Sequence, residues 1–166
     1  MVDFESGNVE EILELAFIAC QSTVTRVVSR CGAFHKSNGF QSKKKGGKVN
    51  LMERCDEKVR GTPYTRITTI DAFANYAKHQ DEWGDNWDKL NRKSRPTAEM
   101  VKKIGATRGG TGNMRRAFNR IVGHGHFERV GELSDIIRAW GKRLAIDYER
   151  ELKAQRLLPE RASAKR

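Results

Sequence analysis

The stretch RPTAEMVKKIGATRGGTGNMRRAFNRIVG, Arg95 to Gly123, limits the fold of this chain more than any other. Two runs with helical periodicity flank ATRGGTG, whose three glycines and two β-branched threonines are each unfavourable inside a helix. One continuous helix is therefore excluded, and a helix, a short break and a second helix are expected. Pro96 suits the first turn of the first helix, where no amide donor is needed. Val101 and Ile104 then point inward, with Lys102 and Lys103 outward. The second helix is expected to start near Thr111 or Asn113, both competent N-caps. Met114, Ala117, Phe118, Ile121 and Val122 share its apolar face. Arg115, Arg116, Asn119 and, at the edge, Arg120 share the other.

The same periodicity organises much of the remaining chain. From Asn8 to Cys31, Val9, Ile12, Leu13, Ala16, Phe17, Cys20, Val24, Val27 and Cys31 recur at helical steps. Acids lie early in this run and Arg26 and Arg30 late, as the helix dipole favours. From Gly32 to Thr65 periodicity is lost, and SKKKGGK (Ser42 to Lys48) reads as a basic arm for phosphates or as a solvated loop. A helix is expected after Thr68 as cap, with Ile70, Phe73, Ala74 and Ala77 inward. Gly84 should break or bend it, and Trp87 and Leu90 should anchor a further turn. In HGHFERVGE, Phe127 and Val130 between Gly125 and Gly131 suggest a short strand or wing. A last helix is expected from Leu133 to Leu158, with a nearly heptad seam of Leu133, Ile136, Ile137, Trp140, Leu144, Tyr148 and Leu152. That seam packs on the domain's own core by default, or on a second copy. The tail PERASAKR is expected to fray.

The expected fold class is mainly α: a small helical domain with a helix-turn-helix unit, with or without a wing, a flexible basic loop and a long C-terminal helix. The divisions are an N-terminal amphipathic helix (1–31), a basic loop or arm (32–66), the helix-turn-helix unit (67–132), and the C-terminal helix with its tail (133–166).

Charge points to a partner. Lys and Arg number 32 against 21 Asp and Glu, giving a formal charge of +11. Such a balance favours polyanions, because basic proteins displace counterions from phosphate backbones. The charge is uneven: residues 26–60 hold ten bases and three acids, residues 92–122 nine bases and one acid, and residues 1–25 five acids and no base. Two basic blocks look like two contact surfaces.

Other chemistries find less support. There is no Ser/His/Asp order, phosphate loop or paired CxxC, and His79, His124 and His126 lack a nucleophile partner, so neither an enzyme nor a cofactor is expected. Cys20, Cys31, His35 and Cys55 have spacings that match no zinc knuckle. Asp81, Asp85 and Asp88 would share a helical face, but a solvated acidic face is commoner than a cation site. In His124-Gly125-His126 the central glycine argues against the metal pair of a nicking enzyme, so no metal is expected. An odd cysteine count without a secretory pattern favours a reduced, cytoplasmic setting. No apolar run approaches the ~18 residues needed to span a bilayer, and no membrane partner is expected.

KLNRKSRPTAEMVKKIGATRGGTGNMRRAF resembles the N-terminal DNA-binding region of plasmid KfrA-type proteins, over about thirty residues. The matching positions are Leu90, Arg95, Pro96, Thr97, Val101, Gly105, Gly110, Thr111 and Met114. ATRGGTGN is longer than that family's Gly-Ser turn, and the family's C-terminal coiled coil has no counterpart. The resemblance implies sequence-specific duplex DNA binding, with roles in transcription or segregation.

In a helix-turn-helix the second helix enters the major groove, where Arg pairs with guanine edges and Asn with adenine. Residues toward its N-terminus do most of the reading, which points to Arg108, Thr111, Asn113, Arg115, Arg116 and Asn119, and Arg120 at the edge of that face is expected to contact nucleic acid as well. Arg129, Lys43, Lys44 and Lys45 are expected as phosphate contacts. The function expected is duplex DNA binding, in preference to RNA, for regulation or for replicon or phage maintenance, with a homodimer formed through the C-terminal or N-terminal helix. The alternative is a phage or virus structural protein, a head–tail or nucleocapsid component.

Overall fold

The computed structural model describes residues 4–37, 47–83 and 86–155, and their architecture is mainly α. The helices are α1 (Phe4–Ser37), α2 (Lys48–Glu53), α3 (Arg66–His79), α4 (Arg95–Ile104), α5 (Asn113–Val122) and α6 (Glu132–Ala154). Lys43, Lys44 and Lys45 lie outside the described residues, as does the tail.

The hub is α3, which packs against each of the other five helices. A helix in that position must be covered nearly all round. Ile67, Ile70, Phe73 and Ala74 are fully buried, and so are the polar neighbours Thr68 and Thr69. The helix starts earlier than Thr68 suggested. Thr65 is the N-cap, and Thr68 sits three residues inside as its partner in a reciprocal box. The Thr68 amide donates to Thr65 Oγ1 at 3.3 Å, and the Thr65 amide to Thr68 Oγ1 at 3.0 Å.

The expected loop over 32–66 is only partly a loop. Leu51 and Met52 on α2 are buried, as is Val59 after it, so the described part of this segment belongs to the core. Six residues of helix are too few to show a period in sequence. Lys58 and Thr65 form an isolated antiparallel bridge, and no strand occurs among the described residues. The expected wing is therefore absent: Phe127–Arg129 is a short 3-10 turn whose Phe127 ring packs on Phe118 at 5.7 Å. A strand there would have no neighbour to satisfy its backbone.

Both long helices run past the expected boundaries or stop short of them. α1 extends to Ser37 and buries Leu13, Phe17, Cys20 and Val24 against α3 and α6. α6 closes at Ala154 and buries Leu133, Ile137, Trp140, Leu144 and Tyr148. Five of the seven seam residues of α6 are thus buried within the molecule, while Ile136 and Leu152 are partly exposed. The expectation that no segment is long and apolar enough for a bilayer needs correction. By length and composition alone, α1 between Asn8 and Phe34 passes that test, with a mean hydropathy of 1.3 over its best window. The same helix carries core residues, and 28% of that window is buried inside the molecule.

Gln21 and Asp71 make a polar seam between α1 and α3. Gln21 Nε2 donates to Asp71 Oδ1 at 2.9 Å, while Lys48 Nζ from α2 sits 2.9 Å from the same carboxylate. Beyond α3 the chain turns through Gln80–Trp83 and Trp87–Lys89, both 3-10. Tyr76, Trp83 and Trp87 meet edge to face there, with centroids 5.5–5.7 Å apart. Asp81 and Asp88 fall on separate turns rather than on one helical face, Asp85 is outside the described residues, and Asp88 is held by Lys102 at 2.7 Å.

Candidate nucleic-acid interface

α4 and α5 are separate helices, as ATRGGTG required, and they pack against each other. α4 starts with Pro in its first turn and ends at Gly105, whose φ of 110° is accessible to glycine and strained for other residues. Gly112, at φ 82°, leads into α5. Between them the turn is fixed by one side chain. Asn113 is 2% exposed; its Oδ1 accepts from the Thr107 amide at 2.9 Å, and its Nδ2 donates to the Thr107 carbonyl and to Tyr76 Oη, both at 2.8 Å. This clamp holds the turn onto α3. Burial pushes the Tyr76 phenol above its usual range, against the pull of its bond with Asn113.

The N-terminus of α5 is occupied from within. Glu10 on α1 accepts from the Met114 amide at 3.0 Å, the Arg115 amide at 3.2 Å and Arg115 Nε at 3.2 Å. A carboxylate here satisfies orphan amides and complements the helix dipole. It also fills the place where a DNA phosphate would be received at a helix N-terminus.

The expected site residues consequently divide. Asn113 is buried in the turn, and Arg115 is partly exposed with its Nε paired to Glu10. Arg116, Asn119 and Arg120 are exposed on α5. Arg116 Nη1 donates to Asn113 Oδ1 at 2.8 Å, and Arg120 donates to the carbonyls of Ile104 and Arg60, both at 3.3 Å. Among the described residues neither meets a carboxylate. Thr111 and Arg108 are exposed on the turn and line a polar hollow of about 380 Å³ with Trp87 and Gln80. Arg129 lies apart, in an ion pair with Glu132 at 2.6 Å.

Sequence reasoning passed over Glu10 and Lys103. Nothing local marks Glu10, which is over a hundred positions from its partners. Lys103 is exposed on α4, and its outward register was visible in the period that buries Val101 and Ile104. Lys102 is less available, being tied to Asp88, whose carboxyl is held below its ordinary range by that hydrogen bond.

The histidines of HGH each face a carboxylate: His124 Nε2 is 3.0 Å from Glu132, and His126 Nδ1 is 3.1 Å from Glu128. No cluster of three metal-ligating side chains occurs among the described residues. Cys20, Cys31 and Cys55 are free thiols. Comparisons with protein-family models, with curated proteins and with solved structures find no match to this chain.

Proposed function

We propose that this chain binds duplex DNA through the outer surface of α4, the following turn and α5. One observation carries the reading: α5 contains no acidic residue, and its exposed polar side chains are Arg116, Asn119 and Arg120. Arg and Asn are the side chains that read guanine and adenine edges in the major groove. With Glu10 seated at the helix N-terminus, the contact shifts along α5, to Arg116 and Asn119 for bases and to Arg120 and Lys103 for phosphates. This departs from the usual helix-turn-helix, in which the first turn of the second helix does most of the reading. A KfrA-like role in regulation or replicon maintenance accords with this placement.

The test is fluorescence anisotropy with duplex, single-stranded and RNA probes at two salt concentrations. Replacing Arg116 and Asn119 with Ala should weaken duplex binding by at least about tenfold, since one good base contact is worth about 1–3 kcal/mol. Lys103→Ala should lower affinity across all sequences and flatten the salt slope by about one. Unchanged duplex affinity in the double variant would remove α5 from the interface.

A structural assembly protein is the second reading. It is favoured by the exposure of Ile12 (54%) and Leu15 (69%) on α1, large apolar side chains of the kind that subunit contacts cover.

A further inference from the structure

The tight loop between α2 and α3 reaches the outer surface of α5. It is closed by the Lys58–Thr65 bridge, and its path is fixed from within. The Val59 amide donates to the Tyr64 carbonyl at 2.8 Å and the Thr62 amide to the Val59 carbonyl at 3.0 Å, while Gly61 takes the turn at a φ of 75°. Val59 is buried, so the alternation of extended backbone turns Lys58 and Arg60 outward, and both are exposed. The tip meets α5 through Arg120, whose guanidinium donates to the Arg60 carbonyl and to the Ile104 carbonyl, both at 3.3 Å. Three segments distant in sequence therefore converge on one side chain: the loop tip, the end of α4 with Lys103, and the last turn of α5.

The positive charge gathered there is not neutralised by the protein. Asp56 and Glu57, which precede the loop, face Arg66 and Arg143. Among the described residues Lys58, Arg60, Lys103 and Arg120 have no carboxylate partner. Like charges held together raise the free energy of the folded chain, and a polyanion lying across them relieves it. We infer that this loop belongs to the duplex DNA surface, with Arg60 on a phosphate beside the groove that α5 enters and Lys58 reinforcing it. This role rests on the DNA reading of α5 and adds a separate element to it. DNA carries one phosphate charge per about 1.7 Å of helix axis, so a base held beside Arg120 has a phosphate within reach. The loop is already ordered by buried Val59 and by its own hydrogen bonds, so contact costs it little conformational freedom. Phosphates carry no sequence information, and Arg60 accordingly adds affinity and register rather than selectivity.

Fluorescence anisotropy of the full chain tests this, with duplexes of two unrelated sequences, a single strand and RNA over a salt series. Arg60→Ala should weaken binding to both duplexes about fivefold and flatten the salt slope by about one, and Arg60→Lys should restore most of that loss. Arg120 bonds the Arg60 carbonyl, so Arg60→Ala leaves that contact in place and the thermal midpoint should not move. Replacing Arg116 and Asn119 with Ala in parallel separates two kinds of failure. If Arg60→Ala keeps its affinity and slope while the double variant loses binding, the loop is outside the interface and α5 remains in it. If the double variant keeps its affinity, α5 is removed from the interface and the role of Arg60 falls with it. A loss that Lys does not restore, or one confined to a single sequence, also overturns the phosphate contact. So does a loss that is larger on single strands or RNA than on duplex.

Discussion

Two arginine-rich regions of this molecule use the same side chain in opposite ways. Where α2 meets α6, Arg54 is buried and its guanidinium faces Asp147 at 2.6 Å and Glu151 at 3.1 Å. It also lies 4.5 Å above the Tyr148 ring. Arg66 and Arg143 approach the buried Asp56 at 3.8 and 3.7 Å, and Trp140 Nε1 donates to the Arg54 carbonyl at 3.0 Å. Burial pushes the Asp56 carboxyl upward, against the Ile67 amide that hydrogen-bonds it. On α5, by contrast, Arg116 and Arg120 donate to an amide and to backbone carbonyls, which orient a guanidinium without neutralising it. The first region spends its charge on holding helices together. The second keeps its charge outward. Counting arginines cannot separate the two, whereas asking what each one faces does.

The largest expected effect is in the neutralised region. Arg54→Ala removes the buried guanidinium that faces Asp147 and Glu151, and breaking such pairs costs about 3–5 kcal/mol. Urea denaturation should show that loss, with duplex affinity unchanged while the protein remains folded. A stability loss under about 1 kcal/mol would mean the cluster is dispensable, and the contrast would collapse.

Asn113→Ala comes next, at about 2 kcal/mol, because Tyr76 Oη and both backbone groups of Thr107 lose a buried partner. This loss should appear both in stability and in DNA binding, since the turn and Arg116 are held by the same side chain. The Arg116 and Asn119 double replacement should leave stability within about 0.5 kcal/mol, as exposed changes usually do, and act on binding alone. If it destabilises as much as Arg54→Ala, α5 belongs with the structural arginines.

Glu10→Gln is expected to cost about 1 kcal/mol, by weakening charge-assisted bonds to the α5 amides while keeping the side chain's shape. It should also raise DNA affinity severalfold, because the carboxylate occupies a phosphate-like position beside Arg115. Lower affinity would show that Glu10 serves the interface only by holding α5 in place.

A pH-dependent effect is expected under alkaline conditions. Burial pushes the Tyr148 phenol up from 10.0 to about 12, so the folded state holds this proton more tightly than the unfolded chain. The stabilising contribution is therefore complete below pH 10 and is lost as pH rises toward 12. A thermal unfolding series over that window should show a midpoint falling faster in the wild type than in Tyr148→Phe.

Much of the architecture was legible because it is local. The periods of α1, α4, α5 and α6 appear in any short window, and the glycines and threonines of ATRGGTG forced the break between α4 and α5. What stayed hidden is what depends on distant neighbours. α2 is too short for a period, Thr65 and Thr68 are equivalent as caps until the chain path is known, and Phe127 becomes a turn because Phe118 is there to receive it.

By itself, then, the sequence determined a mainly helical chain with two basic blocks and an interrupted basic hairpin, since side-chain period and backbone propensity act over a few residues. Only the tertiary structure decided which polar groups remain available. It placed Glu10 on the α5 N-terminus, buried Asn113 beneath the turn and turned most of the α6 seam inward. Those outcomes rest on which donors and acceptors meet after folding, and no local pattern records that for groups a hundred residues apart.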